Sequence, residues 1–174
     1  SHDRIFVAGA SAADSSTMIA AAIVRQLRAQ GFSDICGMDD APDLTSTESV
    51  NRFFESARPA YVFVAAGRTA GIVGNERFPA DLMLDNLRIA ANVIPAAWQN
   101  GARKLLYLSS SCTYPKAAPQ PLAPDSLWTG PLEPTSAAYA VAKLGGVTLC
   151  DAFRRQHGAP FISAIGAEIG RAHV

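Results

Sequence analysis

The sequence has no excess of either charge: its 174 residues hold 15 Lys and Arg against 15 Asp and Glu. Nucleic-acid binders gather basic residues on one face or stripe, so no nucleic-acid partner is expected. Nothing reads as a basic amphipathic helix of the kind that lies on a membrane. Long hydrophobic runs are also missing. The longest, Met18 to Val24, falls far short of the ~20 residues that span a bilayer, so no membrane partner is expected either. No signal peptide is visible, and Ser1-His2 reads as a tag remnant. Cysteine is scarce: Cys36, Cys112 and Cys150 are scattered, odd in number and without metal-ligand spacing. No metal site is expected, and a reduced, cytoplasmic setting fits.

What is present is globular material, 49% hydrophobic and 17% charged, which argues against disorder. The hydrophobic pattern alternates strand and helix. Short apolar runs at 4–8, 34–38, 60–66, 104–108 and 160–165 read as strands. Segments 16–30, 47–57, 79–100 and 136–157 carry apolar residues at helical spacing, with Pro95 expected to bend the third of them. Such alternation points to βαβ units and a parallel sheet. Only one connection is long. From 114 to 135 the chain carries Pro115, Pro119, Pro121, Pro124, Pro131 and Pro134. A loop of this length in a compact domain is usually functional. It leaves the C-terminal end of a strand, where open α/β sheets bind ligands.

Tyr139 and Lys143 stand four apart on a predicted helix and so share one face. An ammonium beside a phenol favours the phenolate, which suits Tyr139 to acid/base work near neutral pH. Ser110, at the end of the preceding strand, is placed to hold a carbonyl or alkoxide oxygen. The plain alternative is a surface Tyr/Lys pair on an ordinary helix.

Several longer strings carry a resemblance. They are Arg4-Ile-Phe-Val-Ala-Gly9, Ala22-Ile-Val-Arg-Gln-Leu27, Ala65-Ala66 with Gly71-Ile72 and Asn75, and Phe78-Pro79-Ala80-Asp81 with Asn86-Leu87. The most specific are Ser110-Ser-Cys-Thr-Tyr-Pro115, Pro119-Gln-Pro121, Gly130-Pro-Leu-Glu-Pro-Thr135 and Tyr139-Ala-Val-Ala-Lys143. Together they resemble the extended short-chain dehydrogenase/reductases (the NAD-dependent epimerase/dehydratases) that modify nucleotide sugars, and among these the GDP-L-fucose synthases. The resemblance covers nearly all of this chain and the front part of such an enzyme. It implies a three-layer α/β fold with a Rossmann-like doubly wound parallel sheet of about five strands, ordered 3-2-1-4-5. The dinucleotide-binding domain is then expected over 1–168, with loop 114–135 facing the substrate side and the substrate domain largely missing.

The resemblance also implies roles. Tyr139 is the proton donor in a reduction at C4 and Lys143 lowers its pKa and holds the nicotinamide ribose. Ser110 supports the substrate oxygen, and Cys112 is the base that takes protons next to the keto group. Gly9, Ser11, Ser15, Asp39, Ala65, Ala66, Asn86, Tyr139 and Lys143 are the expected cofactor-binding positions. A GDP-sugar is the expected substrate of the intact parent, and a homodimer built through the helices at 79–100 and 136–157 the expected assembly. Cys36 and Cys150 read as packing residues, and His157 as a cation at a helix C-terminus.

Three departures stand out. Glycine is thin where a dinucleotide turn needs it: Gly9-Ala-Ser-Ala-Ala-Asp-Ser-Ser-Thr17 holds one glycine and no G-x-G-x-x-G. Ser11 and Ser15 hydroxyls are then expected to help cap a phosphate; a loop that binds no cofactor is the alternative. The family's arginine after the second strand is replaced by Met38-Asp39-Asp40. A carboxylate there suits a ribose 2′-hydroxyl, so NAD is favoured over the family's NADP. Finally, Ile169 to Val174 back-translates to a common sequencing-adapter string, so 169–174 is expected not to be natural sequence. Two rival readings remain: a non-catalytic binding module with a decayed loop, and another sugar epimerase or dehydratase.

Overall fold

The computed structural model describes residues 3–10 and 17–166. Ser11, Ser15 and the tail at 169–174 lie outside the described residues. Five parallel strands form one sheet: β1 Ile5–Ala8, β2 Ile35–Cys36, β3 Tyr61–Val64, β4 Lys104–Ser110 and β5 Phe161–Gly166. Five α-helices join them: α1 Thr17–Ala29, α2 Thr47–Ala57, α3 Gly71–Arg77, α4 Pro79–Gln99 and α5 Ala137–His157. This is the expected Rossmann-like α/β architecture. The helix α4 continues through Pro95.

The strand order is β2-β1-β3-β4-β5, which corrects the expected 3-2-1-4-5. In that expectation the third strand lies outside the second. Here the stretch that follows β2 makes no ladder. Pro42 has no N–H to give one. Asp43 then turns the chain at once, its Oδ1 accepting from Thr45 N at 2.9 Å and Thr45 Oγ1 at 2.7 Å. Ser46 caps α2, accepting from Ser49 N at 3.3 Å. The chain enters α2 as expected, but the third strand, β3, then pairs with β1 instead of lying outside β2, in register Ile5↔Tyr61 to Ala8↔Val64; β2, only two residues long, offers an outer strand little edge.

Right-handed crossovers then dictate the layers. The step β1 to β2 runs one way along the sheet, and every later step runs the other way. So α1 covers one face, with Val24 and Leu27 packed on Ile5, Val7 and Ile35. Helices α2, α4 and α5 share the opposite face, where Phe54, Val93, Ile94 and Cys150 join Phe6, Val62, Val64, Leu105, Tyr107 and Phe161. The direction of winding reverses between β1 and β3. Beyond the C-terminal ends of those strands lies the crevice in which such sheets take ligands.

One contact sets how close α5 lies to the sheet. A Cβ at Gly146 would stand 2.2 Å from Tyr107 Cζ and 2.4 Å from its hydroxyl. Tyr107 is 1% exposed, so the ring has nowhere to move. Overpacking a full core costs about 1–3 kcal/mol. Gly146→Ala is expected to destabilise the fold by about 2 kcal/mol in urea denaturation, and a change below about 0.5 kcal/mol would show that α5 can lift off Tyr107.

Candidate active site

Strand β4 ends on Ser110, and the chain turns at once through a 3-10 turn, Ser111–Thr113. The turn is tied to the strand end in two ways. Ser110 Oγ accepts from Cys112 N at 3.4 Å, and Thr113 Oγ1 donates to Ser110 O at 2.6 Å. Thr113 is fully buried. Ser110 and Cys112 are half-buried, so both side chains stay reachable from the sheet's C-terminal edge.

The loop that follows is closed on itself. Lys116 N donates to Pro131 O at 2.9 Å, and its ammonium pairs with Glu133 at 2.9 Å. A further 3-10 turn at Pro134–Ser136 delivers the chain into α5. Tyr139 lies in the first turn of α5 and lines a cavity of about 430 Å³ with Asn75, Glu76, Pro79, Thr135 and Ser136.

One turn further along, Lys143 runs inward. It is 4% exposed. Its Nζ donates to Ala66 O and Leu108 O, each at 3.2 Å, and stands 5.2 Å from the centre of the Tyr107 ring. The ammonium thus bridges the C-terminal ends of β3 and β4. Burial holds its pKa at about 8, below the usual 10.5, because the charged form loses solvation. Burial likewise pushes the Cys36 and Cys150 thiols up to about 11, which fits packing roles. His157 stacks on Trp98 at 4.2 Å, remote from this edge of the sheet.

Asn86 belongs to this cluster, and its carboxamide is bonded to backbone on both sides. It is 2% exposed. Its Nδ2 donates to Arg68 O at 2.8 Å and Leu82 O at 2.7 Å, and its Oδ1 accepts from Arg68 N at 3.2 Å. The carboxamide reads both backbone groups of Arg68 and fixes the loop after β3. Sequence reasoning missed two neighbours of this cluster, Gly67 and Thr113. Gly67 directly after Ala65-Ala66 was the available signal, since a run of small residues at a strand end marks close approach.

The strand ends suit a dinucleotide. Gly9 leaves β1 at φ 94, a conformation that favours glycine. Ala8, Gly9, Ala10, Ala65, Ala66 and Gly67 line the ends of β1 and β3 with nothing larger than a methyl group, so a backbone-hugging ligand fits there. Beyond β2, Asp40 Oδ1 accepts from Gly37 N at 2.8 Å. That carboxylate is turned back on its own chain, while Asp39 stands exposed.

Comparison with known proteins settles the family. Residues 5–169 match the NAD dependent epimerase/dehydratase family. The chain belongs to that family. It is 46% identical over 155 residues to a putative GDP-L-fucose synthase 2 of Arabidopsis thaliana, covering 88% of this chain and 46% of that protein. It is 40% identical over 174 residues to the GDP-L-fucose synthase of Escherichia coli (strain K12), covering 99% of this chain and 53% of that protein. Among solved structures, a GDP-mannoheptose C4 reductase from Campylobacter jejuni with NADP bound superposes with a TM-score of 0.87 at 28% identity, covering 95% of this chain and 51% of that one. The chain spans about half the length of the curated relatives it matches, and it resembles the cofactor-binding part of these epimerase/reductases. Among the described residues no helix is long and apolar enough to cross a membrane.

The buried lysine makes stability depend on pH in a defined direction. Its folded pKa of about 8 lies below its ordinary 10.5, so the folded chain releases this proton first. Below pH 8 the cost of burying the charge is fully present; between 8 and 10.5 it is relieved and stability rises. Cys36 and Cys150 act oppositely above their ordinary 9.0, so the window that isolates Lys143 is pH 7 to 9. Wild type is expected to gain about 1 kcal/mol relative to Lys143→Met across that window, read by urea denaturation at each pH. Parallel pH profiles for the two proteins would show that Lys143 does not titrate there.

Proposed function

We propose that this chain is the cofactor-binding part of a GDP-sugar epimerase/reductase of the GDP-L-fucose synthase kind, with the domain spanning 1–168. The observation that carries this reading is the convergence of three elements on one sheet edge. The β4 terminus supplies Ser110 and Cys112, the first turn of α5 supplies Tyr139, and Lys143 places its ammonium between the ends of β3 and β4. The relatives named GDP-L-fucose synthase support the substrate class.

In this reading Cys112 removes a proton from the carbon next to the ketone, and reprotonation on the other face inverts that centre. Tyr139 gives its proton to the oxygen at C4 as that carbon is reduced. Ser110 accepts a hydrogen bond from Cys112 N, which directs its own O–H towards the substrate oxygen. Lys143, mostly cationic at neutral pH, favours the phenolate that Tyr139 leaves behind. A nicotinamide dinucleotide, when bound, supplies the hydride. Gly9, Ala65 and Ala66 would take its backbone-hugging part, with Ser11 and Ser15 at the phosphates, and Asp39 would take the adenosine ribose.

Asp39 decides the nucleotide. An exposed carboxylate accepts from a ribose 2′-hydroxyl and repels a 2′-phosphate, so NAD is the cofactor in this reading. A fluorescence titration is expected to show NADH binding at least tenfold tighter than NADPH, with Asp39→Ala narrowing the gap to about threefold or less. Equal affinities in the wild type would remove Asp39 from the site. Binding of neither nucleotide would favour a non-catalytic module whose loop no longer holds a cofactor.

The assembly proposed is a homodimer through α4 and α5. These helices expose Leu84, Trp98 and Val141, each at least 40% accessible, which is apolar surface in want of a partner. Sedimentation velocity is expected to give a dimer that Val141→Glu converts to a monomer; a monomeric wild type would overturn this assembly.

A further inference from the structure

Lys143 has a seat that a single missing side chain makes possible. A Cβ at Gly67 would stand 2.8 Å from Lys143 Nζ, 3.2 Å from its Cε and 3.0 Å from Asn86 Oδ1. The loop that carries Gly67 is itself pinned, because Asn86 holds the N–H and the carbonyl of Arg68 next to it. The ammonium also cannot drift sideways without giving up Ala66 O, two residues past β3, or Leu108 O on β4. The space where a methyl group would sit is occupied by charge. We propose that Gly67 is a positioning residue: its bare Cα, held in place by the Asn86 carboxamide, seats the Lys143 ammonium between the ends of β3 and β4.

The consequence for chemistry rests on the function proposed above, in which Lys143 serves Tyr139. The seat itself does not rest on it. A side chain at 67 leaves Lys143 one easy response, because the ammonium is the far end of a flexible chain. It swings out of the strand ends toward solvent. It then loses both carbonyl acceptors and regains water. The charged or titratable side chains on the surrounding elements include Tyr107 on β4, Cys112 in the turn that follows it, Tyr139 on α5, Asp81, Asp85 and Arg88 on α4, and Arg68 on the loop. Arg68 and Arg88 both pair with Asp85. Burial is what lowers the pKa of Lys143, so a change of seat registers directly in its titration.

The chain has three lysines, Lys104, Lys116 and Lys143. Their 13Cε signals in lysine-labelled protein are therefore few enough to follow one by one against pH. Gly67→Ala is expected to raise the Lys143 midpoint by about one unit or more, towards the ordinary lysine value, while Lys104 and Lys116 keep theirs. A midpoint that falls, or stays within about 0.2 units, in a folded Gly67→Ala protein would overturn the proposal. Should Gly67→Ala fail to fold, the same change in a Lys143→Ala chain must fold, since two of the three atoms it meets, including the nearest, are gone. Failure of both would place the cost in the loop backbone and overturn it too. Nucleotide binding measured on the same samples separates the two ideas: loss of NADH affinity with an unmoved lysine counts against the seat, and a moved lysine in a chain that never bound NADH counts against the proposed function alone.

Discussion

The buried ammonium of Lys143 is the constraint on which this end of the molecule depends. A charge with 4% of its residue exposed is costly unless it is hydrogen-bonded. Here the acceptors are two main-chain carbonyls, Ala66 O just past β3 and Leu108 O on the neighbouring parallel strand β4. Meeting them requires α5 to lie close over β4, which the absence of a side chain at Gly146 against Tyr107 allows. It requires the chain after β3 to leave without a side chain in the way. It also requires that exit to stay put, which Asn86 secures from α4. Three elements distant in sequence are thus committed to one geometry by a single nitrogen, and Tyr139, one turn earlier on α5, inherits its place from that geometry.

The sheet order explains why the site lies where it does. Because β2 steps one way from β1 and β3 the other, the helices divide between the two faces and leave the crevice at β1 and β3 open above. Small residues at both strand ends keep it shallow enough for backbone contact with a ligand. β4 stands next in the sheet, so its Ser110–Thr113 turn borders the crevice. The 430 Å³ cavity beside Tyr139 opens between α3, the start of α4 and the turn that begins α5.

Much of this was legible from residues close in sequence. The strands and most helices follow from hydrophobic periodicity, which is a local property. The grouping of Ser110, Tyr139 and Lys143 was expected from a Tyr-x-x-x-Lys spacing that follows a Ser-bearing strand end, and Cys112 was added by the resemblance. The strand order was not legible, since pairing is decided between segments tens of residues apart. It turned on whether the strand at 61–64 pairs with β1 or lies outside β2, and β2 is only two residues long. Helix α3 was missed because its seven residues include Gly71 and Gly74 and bury none of its side chains. Asn86 was expected among the cofactor-binding positions from the resemblance alone. Its place as a brace for the loop after β3 was not legible, since that depends on bonds to Leu82 and to both backbone groups of Arg68 across 18 residues of sequence.

The pKa of Lys143 bears on how such a site works. A lysine with the ordinary value holds its proton throughout the physiological range and acts as a fixed charge. One held at about 8 is still mostly cationic at neutral pH, but its charge is lost over the next unit or two. The same burial that lowers it also strengthens its field at nearby groups, because little water lies between. Exposure would raise the pKa and weaken the field together. A buried, carbonyl-held ammonium therefore gives a stronger influence on a neighbouring phenol over a narrower pH range than an exposed one. That trade is possible here only because position 67 carries no side chain and Asn86 keeps it from moving.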